Sequence, residues 1–195
     1  MTHPPTNRRA ITSPTHVEAL ASPVRQELLD TLSSLGGMAS VASLAEQVGR
    51  HADGLYYHLR ILSKAGLVQE DSRDGEKVYR LAGGGAIPPR LAYRKGPRGN
   101  ASKLPDYVRA LLRVAQQDFE DALLTPGVVM DGERRRLWAA RNKGWVSPRD
   151  VEEINRLLER LCELTSQVRD GQRDELTSFA FVLAPCSRRE KRRSP

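Results

Sequence analysis

The fold is decided by residues 40–81, which read SVASLAEQVGRHADGLYYHLRILSKAGLVQEDSRDGEKVYRL. Apolar residues recur at three- and four-residue steps in two consecutive runs, Val41–Val48 and residues 52–65, and this spacing predicts two amphipathic helices. Ser40 stands where a helix N-cap is preferred, and Gly49 stands where a helix usually ends. We therefore expect two helices joined by a turn of three or four residues.

A hairpin is expected directly after the second helix. Gly66 ends that helix, and two short runs of strand-like composition follow it, Leu67–Asp71 and Lys77–Leu81. The turn between them, residues 72–75, contains Asp-Gly, a dipeptide that adopts the positive φ angles of tight hairpin turns.

Further helices are expected upstream. The apolar residues from Val17 to Leu32 keep helical spacing, but Ser22-Pro23 is typical of a new helix start, so we expect a short helix and then a longer one. Helices joined by a short turn and followed by a hairpin are the architecture of a winged helix-turn-helix. We assign residues 15–83 to such a domain and expect a fold that is mainly α with a small β component, in the α+β class.

Four pieces of this domain, ASPVRQELLDTL, LAEQVG, YYHLRILSKAGLV and GEKVYRL, resemble the ArsR-type family of bacterial winged-helix transcriptional regulators. The resemblance covers residues 15–83, and HLRILSKAGLV is its most distinctive part. It implies a homodimer that represses transcription and leaves DNA when a metal or another signal arrives.

A metal signal is not expected for this chain, and neither is a cofactor. The metal sensors that the resemblance suggests carry a cysteine pair at the third helix, or acid and histidine ligands on the dimerisation helix. Residues 40–48 contain no cysteine, and residues 105–124 contain no histidine. His51 and His58 lie about 10 Å apart along one helix, so they cannot share one ion.

The helix at residues 52–65 has two unlike faces. Leu55, Leu59 and Leu62 fall within about 60° of one another, whereas polar and aromatic side chains occupy the opposite side. An ordinary surface helix has the same polarity, but the preceding turn and the following hairpin favour a helix that enters a DNA major groove. The residues predicted to contact DNA are His51, Asp53, Tyr56, Tyr57, Arg60, Lys64, Arg73 and Lys77.

Some of these assignments have alternatives. Asp53 can accept a hydrogen bond from a cytosine amino group, or it can stabilise the helix N-terminus. Tyr56 and Tyr57 can donate to phosphate or contact sugar and thymine methyl groups, or they can pack on the hairpin. Arg73 and Lys77, in the hairpin, are expected to hold the DNA backbone or the minor groove.

The C-terminal region is expected to be a small α+β unit. Residues 105–124 have amphipathic helical spacing, residues 135–146 are expected to be extended, Ser147 opens a second helix, and Leu176–Leu183 is expected to be a buried strand. A dimerisation platform without a ligand is one interpretation of this region, and an apolar effector pocket is the other. The residues of that effector pocket would be Trp138, Trp145 and Arg141.

The net charge of +7 is carried outside the winged helix-turn-helix. Residues 15–83 hold 7 basic and 9 acidic side chains, whereas residues 84–114 hold 7 basic side chains and 1 acidic side chain. The charge is compatible with a nucleic-acid partner, and specific contacts must come from the local placement of Arg and Lys. The expected units are a flexible arm at 1–14, the winged helix-turn-helix at 15–83, a basic Gly/Pro linker at 84–104, the C-terminal region at 105–185 and a basic tail at 186–195.

Several classes of protein are excluded by composition. The chain of 195 residues has no apolar run of about 18 residues, so no transmembrane helix is expected, and residues 1–16 lack the apolar core of a secretory signal. Cys162 and Cys186 lie in unlike contexts, which argues against a disulfide scaffold and for a reducing cytoplasm. Because no phosphate-binding glycine loop or serine elbow occurs, an enzyme is not expected.

We therefore expect a cytoplasmic regulator that binds double-stranded DNA sequence-specifically, as a dimeric repressor released by a non-metal signal. The helix at residues 105–124, together with the N-terminal helix, is expected to join two subunits. The alternative is a winged-helix module that binds a partner protein without sequence-specific DNA binding. Salt separates the two, because binding to DNA falls steeply as the salt concentration rises.

Overall fold

The computed structural model describes residues 10–11, 13–73, 75–83, 90–96 and 98–186. Its helices are α1 (Pro14–Ala19), α2 (Pro23–Ser34), α3 (Val41–Val48), α4 (Ala52–Lys64), α5 (Leu104–Leu123) and α6 (Pro148–Thr165). Its strands are β1 (Ala10–Ile11), β2 (Met38–Ser40), β3 (Val68–Arg73), β4 (Glu76–Leu81) and β5 (Arg90–Leu91). A 3₁₀ turn at Ala101–Lys103 precedes α5.

The helix pair α3 and α4 forms where the sequence predicts it. Ser40 caps α3, because its hydroxyl accepts a hydrogen bond from the Ser43 amide at 3.2 Å, and Gly49 ends the helix with a φ of 65°. On α4, three leucines at helical spacing are buried in the core, and they are Leu55, Leu59 and Leu62. The burial of these leucines fixes which side of α4 points to solvent.

A three-stranded antiparallel sheet with the order β2-β4-β3 completes the domain. The hairpin of β3 and β4 confirms the predicted wing, and it reaches further towards its turn than predicted, so that Arg73 lies opposite Glu76. The sequence does not predict β2, because three residues before a helix are too few to show an alternating pattern. With β2 added beside β4, the predicted α+β winged helix-turn-helix fold is confirmed.

One hydrophobic core joins the helices to the sheet. Its fully buried apolar side chains come from α1 to α4 and from β3, and they are Val17, Leu28, Leu32, Leu44, Leu55, Leu59, Leu62 and Val68. α5 packs against α1 and α2. There the buried Gln26 side chain donates to the carbonyl oxygens of Leu20 at 2.7 Å and Tyr107 at 3.1 Å, which ties three helices together.

Parts of the predicted arm and linker are paired and packed. β1 and β5 form a parallel pair, and Ile11 of β1 is buried in the core. Asn100 is fully buried, donates to the Ala92 carbonyl at 2.8 Å and accepts from the Arg94 amide at 2.9 Å. The boundaries predicted for the flexible arm and the linker need correction at these residues. Residues 1–9, 12, 84–89, 97 and 187–195 of the predicted arm, linker and tail lie outside the described residues, and so does Asp74 of the predicted hairpin turn.

The C-terminal region departs from its prediction. Residues 135–146 and Leu176–Leu183, all of which the structure describes, form no strand and are almost entirely exposed. The expected buried strand is therefore wrong for the single chain. A strand needs a neighbour to satisfy its backbone groups, and neither segment is paired with one in the described part of the chain. The side chains of Arg136 and Glu175 form an ion pair of 3.0 Å.

The helix predicted to follow Ser147 is confirmed as α6. The Ser147 hydroxyl accepts from the Asp150 amide at 3.2 Å, and the Asp150 carboxylate accepts from the Ser147 amide at 2.8 Å, which is a capping box. These hydrogen bonds lower the pKa of Asp150. No side chain of α6 is buried. Among the described residues, no helix is long and apolar enough to cross a membrane.

We predict that Asn100→Ala lowers the free energy of unfolding by about 1–3 kcal/mol, because it removes the two hydrogen bonds of this buried side chain, with the Arg94 amide and the Ala92 carbonyl. Urea denaturation of the full chain measures this change. Asn155→Ala on the exposed surface of α6 is the control and should change stability by less than about 0.5 kcal/mol. Equal stability of Asn100→Ala and wild type would show that residues 92–100 behave as a linker after all.

Candidate nucleic-acid interface

A concave surface of 630 Å³ lies between the exposed side of α4 and the hairpin. The buried leucines of α4 turn its polar side towards β3 and β4, so that side chains from the two elements meet there. Nine residues line this surface, which we call the α4–wing groove: Asp53, Tyr56, Tyr57, Arg60, Ser63, Lys64, Glu70, Lys77 and Tyr79.

Six of the eight residues predicted to contact DNA lie together in the α4–wing groove. The other two, His51 and Arg73, do not line it. His51 occupies the N-cap position of α4 without a side-chain capping bond, and it is exposed. Arg73 is exposed at the turn end of β3, opposite Glu76.

The aromatic side chains of the groove are accessible and lie beside cations. Tyr56 and Tyr57 have exposed fractions of 44% and 57%. The Arg60 guanidinium carbon lies 6.0 Å from the centre of the Tyr57 ring, and the Lys77 Nζ lies 6.0 Å from the centre of the Tyr56 ring. Both tyrosines are accessible and at the same time lie beside the hairpin, so DNA contact and partial packing on the hairpin both stay open for them.

Lys77 is held by an acid that the sequence analysis does not single out. Its Nζ lies 2.7 Å from the Glu70 carboxylate, which also accepts a hydrogen bond from the Tyr79 hydroxyl at 3.3 Å. The hydrogen bond with Lys77 lowers the pKa of Glu70, and the same bond raises the pKa of Lys77. Both groups are therefore charged at neutral pH, and the cation of the wing carries its own counter-ion.

Strand register is the signal that could reveal this network. In the hairpin, Glu70 lies directly opposite Tyr79, and Lys77 lies diagonally across from Glu70. Directly opposed and diagonal side chains on one face of an antiparallel pair are within reach of each other. The sequence predicts the hairpin and its turn at residues 72–75, but not which residues pair across it, and each shift of register gives other neighbours.

The groove has charges of both signs. Arg60, Lys64 and Lys77 supply cations, and Asp53 and Glu70 supply anions. Asp53 lies in the first turn of α4, where a carboxylate interacts favourably with the helix dipole. This mixture can recognise donor and acceptor groups, as well as phosphate, rather than only attract a polyanion.

His58 follows Tyr57 on α4 and is affected by the charges of two arginines. Its side chain is half-buried, and its Nδ1 has no hydrogen-bond partner among the described residues. Burial lowers the pKa of His58, and the positive charges of Arg25 and Arg50 lower it further. The ring is therefore neutral at pH 7, and its edge contacts the Tyr57 ring, with 5.3 Å between the two centres.

A second concave surface, of 390 Å³, belongs to the loop that β5 leads into. Arg94, Lys95 and Arg98 line it together with Gly96 and Gly99. The buried side chain of Asn100 holds this loop in place through the two hydrogen bonds given above. Part of the predicted basic linker is therefore an ordered cationic surface.

The structure does not support the predicted effector pocket. Trp138 and Trp145 are 64% and 94% exposed, and Arg141 is exposed as well. The Arg135 guanidinium stacks on Trp138, 3.4 Å from the ring centre. Residues this exposed do not enclose an apolar ligand, because a pocket buries most of what it binds. Among the described residues, no group of three or more His, Cys, Asp or Glu side chains could hold a metal ion.

Comparison with known families agrees with the geometry. Residues 20–70 match the family model of a helix-turn-helix domain. The chain contains a helix-turn-helix domain. The match runs from the end of α1 through α4 into β3, so it includes the helix that faces the α4–wing groove, and such domains are typical of DNA-binding regulators. No curated protein matches the chain.

We predict that Glu70→Gln returns the pKa of Lys77 towards its ordinary value, because the hydrogen bond to a carboxylate is the largest cause of the upward shift. An NMR titration of the Lys77 side chain measures the change. The control is Asp71→Asn, which removes the same charge from β3 but faces Arg80 at 3.2 Å and should leave Lys77 unaffected. If the two variants shift the titration equally, the net charge of β3, and not the contact with Glu70, sets the pKa of Lys77.

Proposed function

We propose that this protein is an ArsR-type transcriptional regulator that binds double-stranded DNA sequence-specifically. The observation that carries the proposal is the α4–wing groove, in which six residues from α4 and the hairpin meet on one accessible surface. Five of them lie on α4, the second helix of the helix-turn-helix domain and the element that reads the major groove in such domains, and Lys77 lies on β4.

In this proposal α4 lies in the major groove and reads base edges. The major groove of B-DNA is about 12 Å wide and accepts one helix. Arg60 can donate to guanine or to phosphate, and Tyr57 can donate to phosphate or contact a thymine methyl group. Asp53 can accept from a cytosine amino group, in place of its interaction with the helix dipole.

The wing holds the DNA backbone, and its lysine exchanges partners when DNA arrives. In the unbound protein Lys77 is paired with Glu70. A DNA phosphate competes with this carboxylate for the same ammonium group. The ion pair is exposed to solvent, so its net free energy is small and the exchange costs little.

Positive charge outside the groove supplies affinity that does not depend on sequence. The winged helix-turn-helix sums to −2, whereas residues 84–114 sum to +6 and include the ordered loop with Arg94, Lys95 and Arg98. Such cations attract the DNA backbone and release counter-ions from it, which strengthens binding to any sequence.

The proposed regulator is a dimeric repressor without catalytic activity that leaves DNA upon a non-metal signal. The motivation for a dimer is the outer side of α5, where Leu112 is 53% exposed, whereas Ala110, the one buried residue of this helix, lies on the opposite side. Two subunits joined there, with help from α1, would place their α4 helices in successive major grooves about 34 Å apart. A signal is proposed because the resemblance implies one. It is proposed to be non-metal because residues 40–48 contain no cysteine and residues 105–124 contain no histidine, the ligands that metal sensors of that family carry there.

A second candidate function is a winged-helix module that binds a partner protein. Asp53 and Glu70 favour it, because acids in the groove repel phosphate and can pair with a basic partner. The two candidates differ in their response to salt, since DNA binding weakens steeply as salt increases. Selection of bound fragments from random DNA with the full chain tests the proposal directly. A shared motif in the selected fragments supports it, and recovery of unrelated fragments contradicts it.

We predict that Tyr57→Ala and Arg60→Ala each weaken binding to the selected DNA by roughly 1–3 kcal/mol and leave the fold unchanged, because both side chains point away from the core. Fluorescence anisotropy measures the affinity, and circular dichroism checks the fold. Arg134→Ala, which removes an exposed charge outside residues 84–114 and outside α5, is the control for Arg60→Ala. Wild-type affinity of both groove variants would remove α4 from the interface.

We predict that Lys77→Ala and Arg73→Ala weaken binding to all sequences about equally and reduce the salt dependence by roughly one released ion each. Glu70→Gln should do the opposite and strengthen binding more than Asp71→Asn, because only Glu70 occupies Lys77. Titrations at several salt concentrations measure both effects. A change of base preference in Lys77→Ala or in Arg73→Ala would show that the wing reads bases.

A further inference from the structure

We propose that residues 135–146 bind single-stranded nucleic acid, at a site separate from the α4–wing groove. This stretch, which we call the Trp–Arg segment, reads RRLWAARNKGWV. It holds both tryptophans of the chain, Trp138 and Trp145, and four basic side chains without an acid. Proteins that hold single strands combine such cations, which follow the phosphates, with aromatic rings on which bases stack.

The two tryptophans offer stacking surface that the fold does not use. Trp145 is 94% exposed and Trp138 is 64% exposed, although tryptophan side chains are on average largely buried. Neither ring belongs to the hydrophobic core. Two accessible indole rings in one cationic stretch can each receive the flat face of a base.

Arg135 places a cation directly on one of these rings. Its guanidinium stacks on Trp138, 3.4 Å from the ring centre, and covers one face of the ring. The ring is still 64% exposed, so its other face is accessible. A nucleotide presents a flat base and a phosphate together, and this pair of side chains can bind the base by stacking and the phosphate by charge.

Most of the positive charge of the Trp–Arg segment is available to a polyanion. Arg141 and Lys143 are exposed and form no ion pair with an acid in the described part of the chain. Arg136 pairs with Glu175 at 3.0 Å, and because this pair is exposed, its net free energy is small and a phosphate can replace the carboxylate. A strand bound here neutralises the cations and releases its own counter-ions, which favours binding.

The backbone of the Trp–Arg segment is equally open. Residues 137–146 belong to no helix or strand, and their backbone groups make no hydrogen bond to the backbone of the rest of the described chain. Their amides can therefore donate to phosphate and sugar oxygens. This favours nucleic acid over an anionic membrane, which also attracts Trp and Arg, because a segment that enters lipid without helical structure leaves its backbone groups unsatisfied.

Unpaired bases distinguish this ligand from the DNA of the proposed regulator. The bases of a duplex stack on one another, so indole rings find no free face there, whereas the bases of a single strand are open to stacking. Single-stranded RNA and DNA share these bases and the phosphates, and stacking accepts both because every base has an aromatic face. A strand of each kind and a duplex of equal length are therefore compared.

The intrinsic fluorescence of the full chain reports on this site, because the α4–wing groove contains no tryptophan. We expect oligo(dT) and oligo(U) of about 12 nucleotides to quench the tryptophan emission, since stacked bases quench indole, and the duplex to quench it far less. Quenching by only one of the two strands supports the proposal and identifies the polymer. No quenching by either strand, or equal quenching by the duplex, would overturn it, as would a response to phosphatidylglycerol vesicles in place of the strands.

Anisotropy of the same strand, labelled at one end, supplies an independent measurement. We expect Trp145→Ala to weaken binding by at least about fivefold, the lower end of the effect of one lost stack, and Trp145→Phe, which keeps an aromatic face, to stay within about twofold of wild type. Leu183→Ala removes another exposed apolar side chain, outside the Trp–Arg segment, and as the control should bind like wild type.

Binding to the selected duplex DNA separates this site from the α4–wing groove. Trp145→Ala should leave that binding unchanged, and an equal loss for the duplex and the single strand would contradict a separate site. If Trp138→Ala and Trp145→Ala both bind the strand as wild type does, the Trp–Arg segment does not hold it by stacking, whatever the outcome of the duplex experiments.

Discussion

The burial of one row of leucines on α4 is the constraint on which the candidate site depends. Leu55, Leu59 and Leu62 fill the centre of the core and leave α4 a single rotation about its axis. That rotation turns Tyr56, Tyr57 and Arg60 outward and places them beside the hairpin. The loss of one leucine would leave a cavity and loosen this rotation, so the core determines the geometry of the groove as well as the stability of the domain.

The sequence predicts this half of the molecule well because its signals are local. Ser40, Gly49 and Gly66 mark helix ends, and the leucine spacing marks the buried face, so the element bounds and six groove residues follow without knowledge of the tertiary structure. The contact between Lys77 and Glu70 does not follow, because it depends on hairpin register. The short strand β2 and the pairing of β1 with β5 depend on long-range partners that no local pattern encodes.

The same reasoning fails for Leu176–Leu183, and the failure has a physical cause. Its apolar composition predicts burial, but composition does not say against what. The single chain gives it no sheet and no core, so these residues lie exposed, as do Trp138 and Trp145. The half that contains the α4–wing groove is therefore a complete packing unit in one chain, whereas the half with α6 leaves its apolar residues exposed.

The pairing of Lys77 with Glu70 has a consequence for how the proposed regulator finds its site. Most DNA in a cell has the wrong sequence, and attraction to it comes almost entirely from uncovered positive charge. Because Lys77 of the wing is paired with Glu70 in the unbound state, the wing attracts such DNA less strongly. On a wrong sequence no base contacts compensate for this loss. In the proposed regulator, the lysine must leave Glu70 to reach phosphate on any sequence, so the affinity for wrong sequences is lower and residence on them is shorter. At the right sequence, the base contacts of α4 add the affinity that the paired lysine withholds.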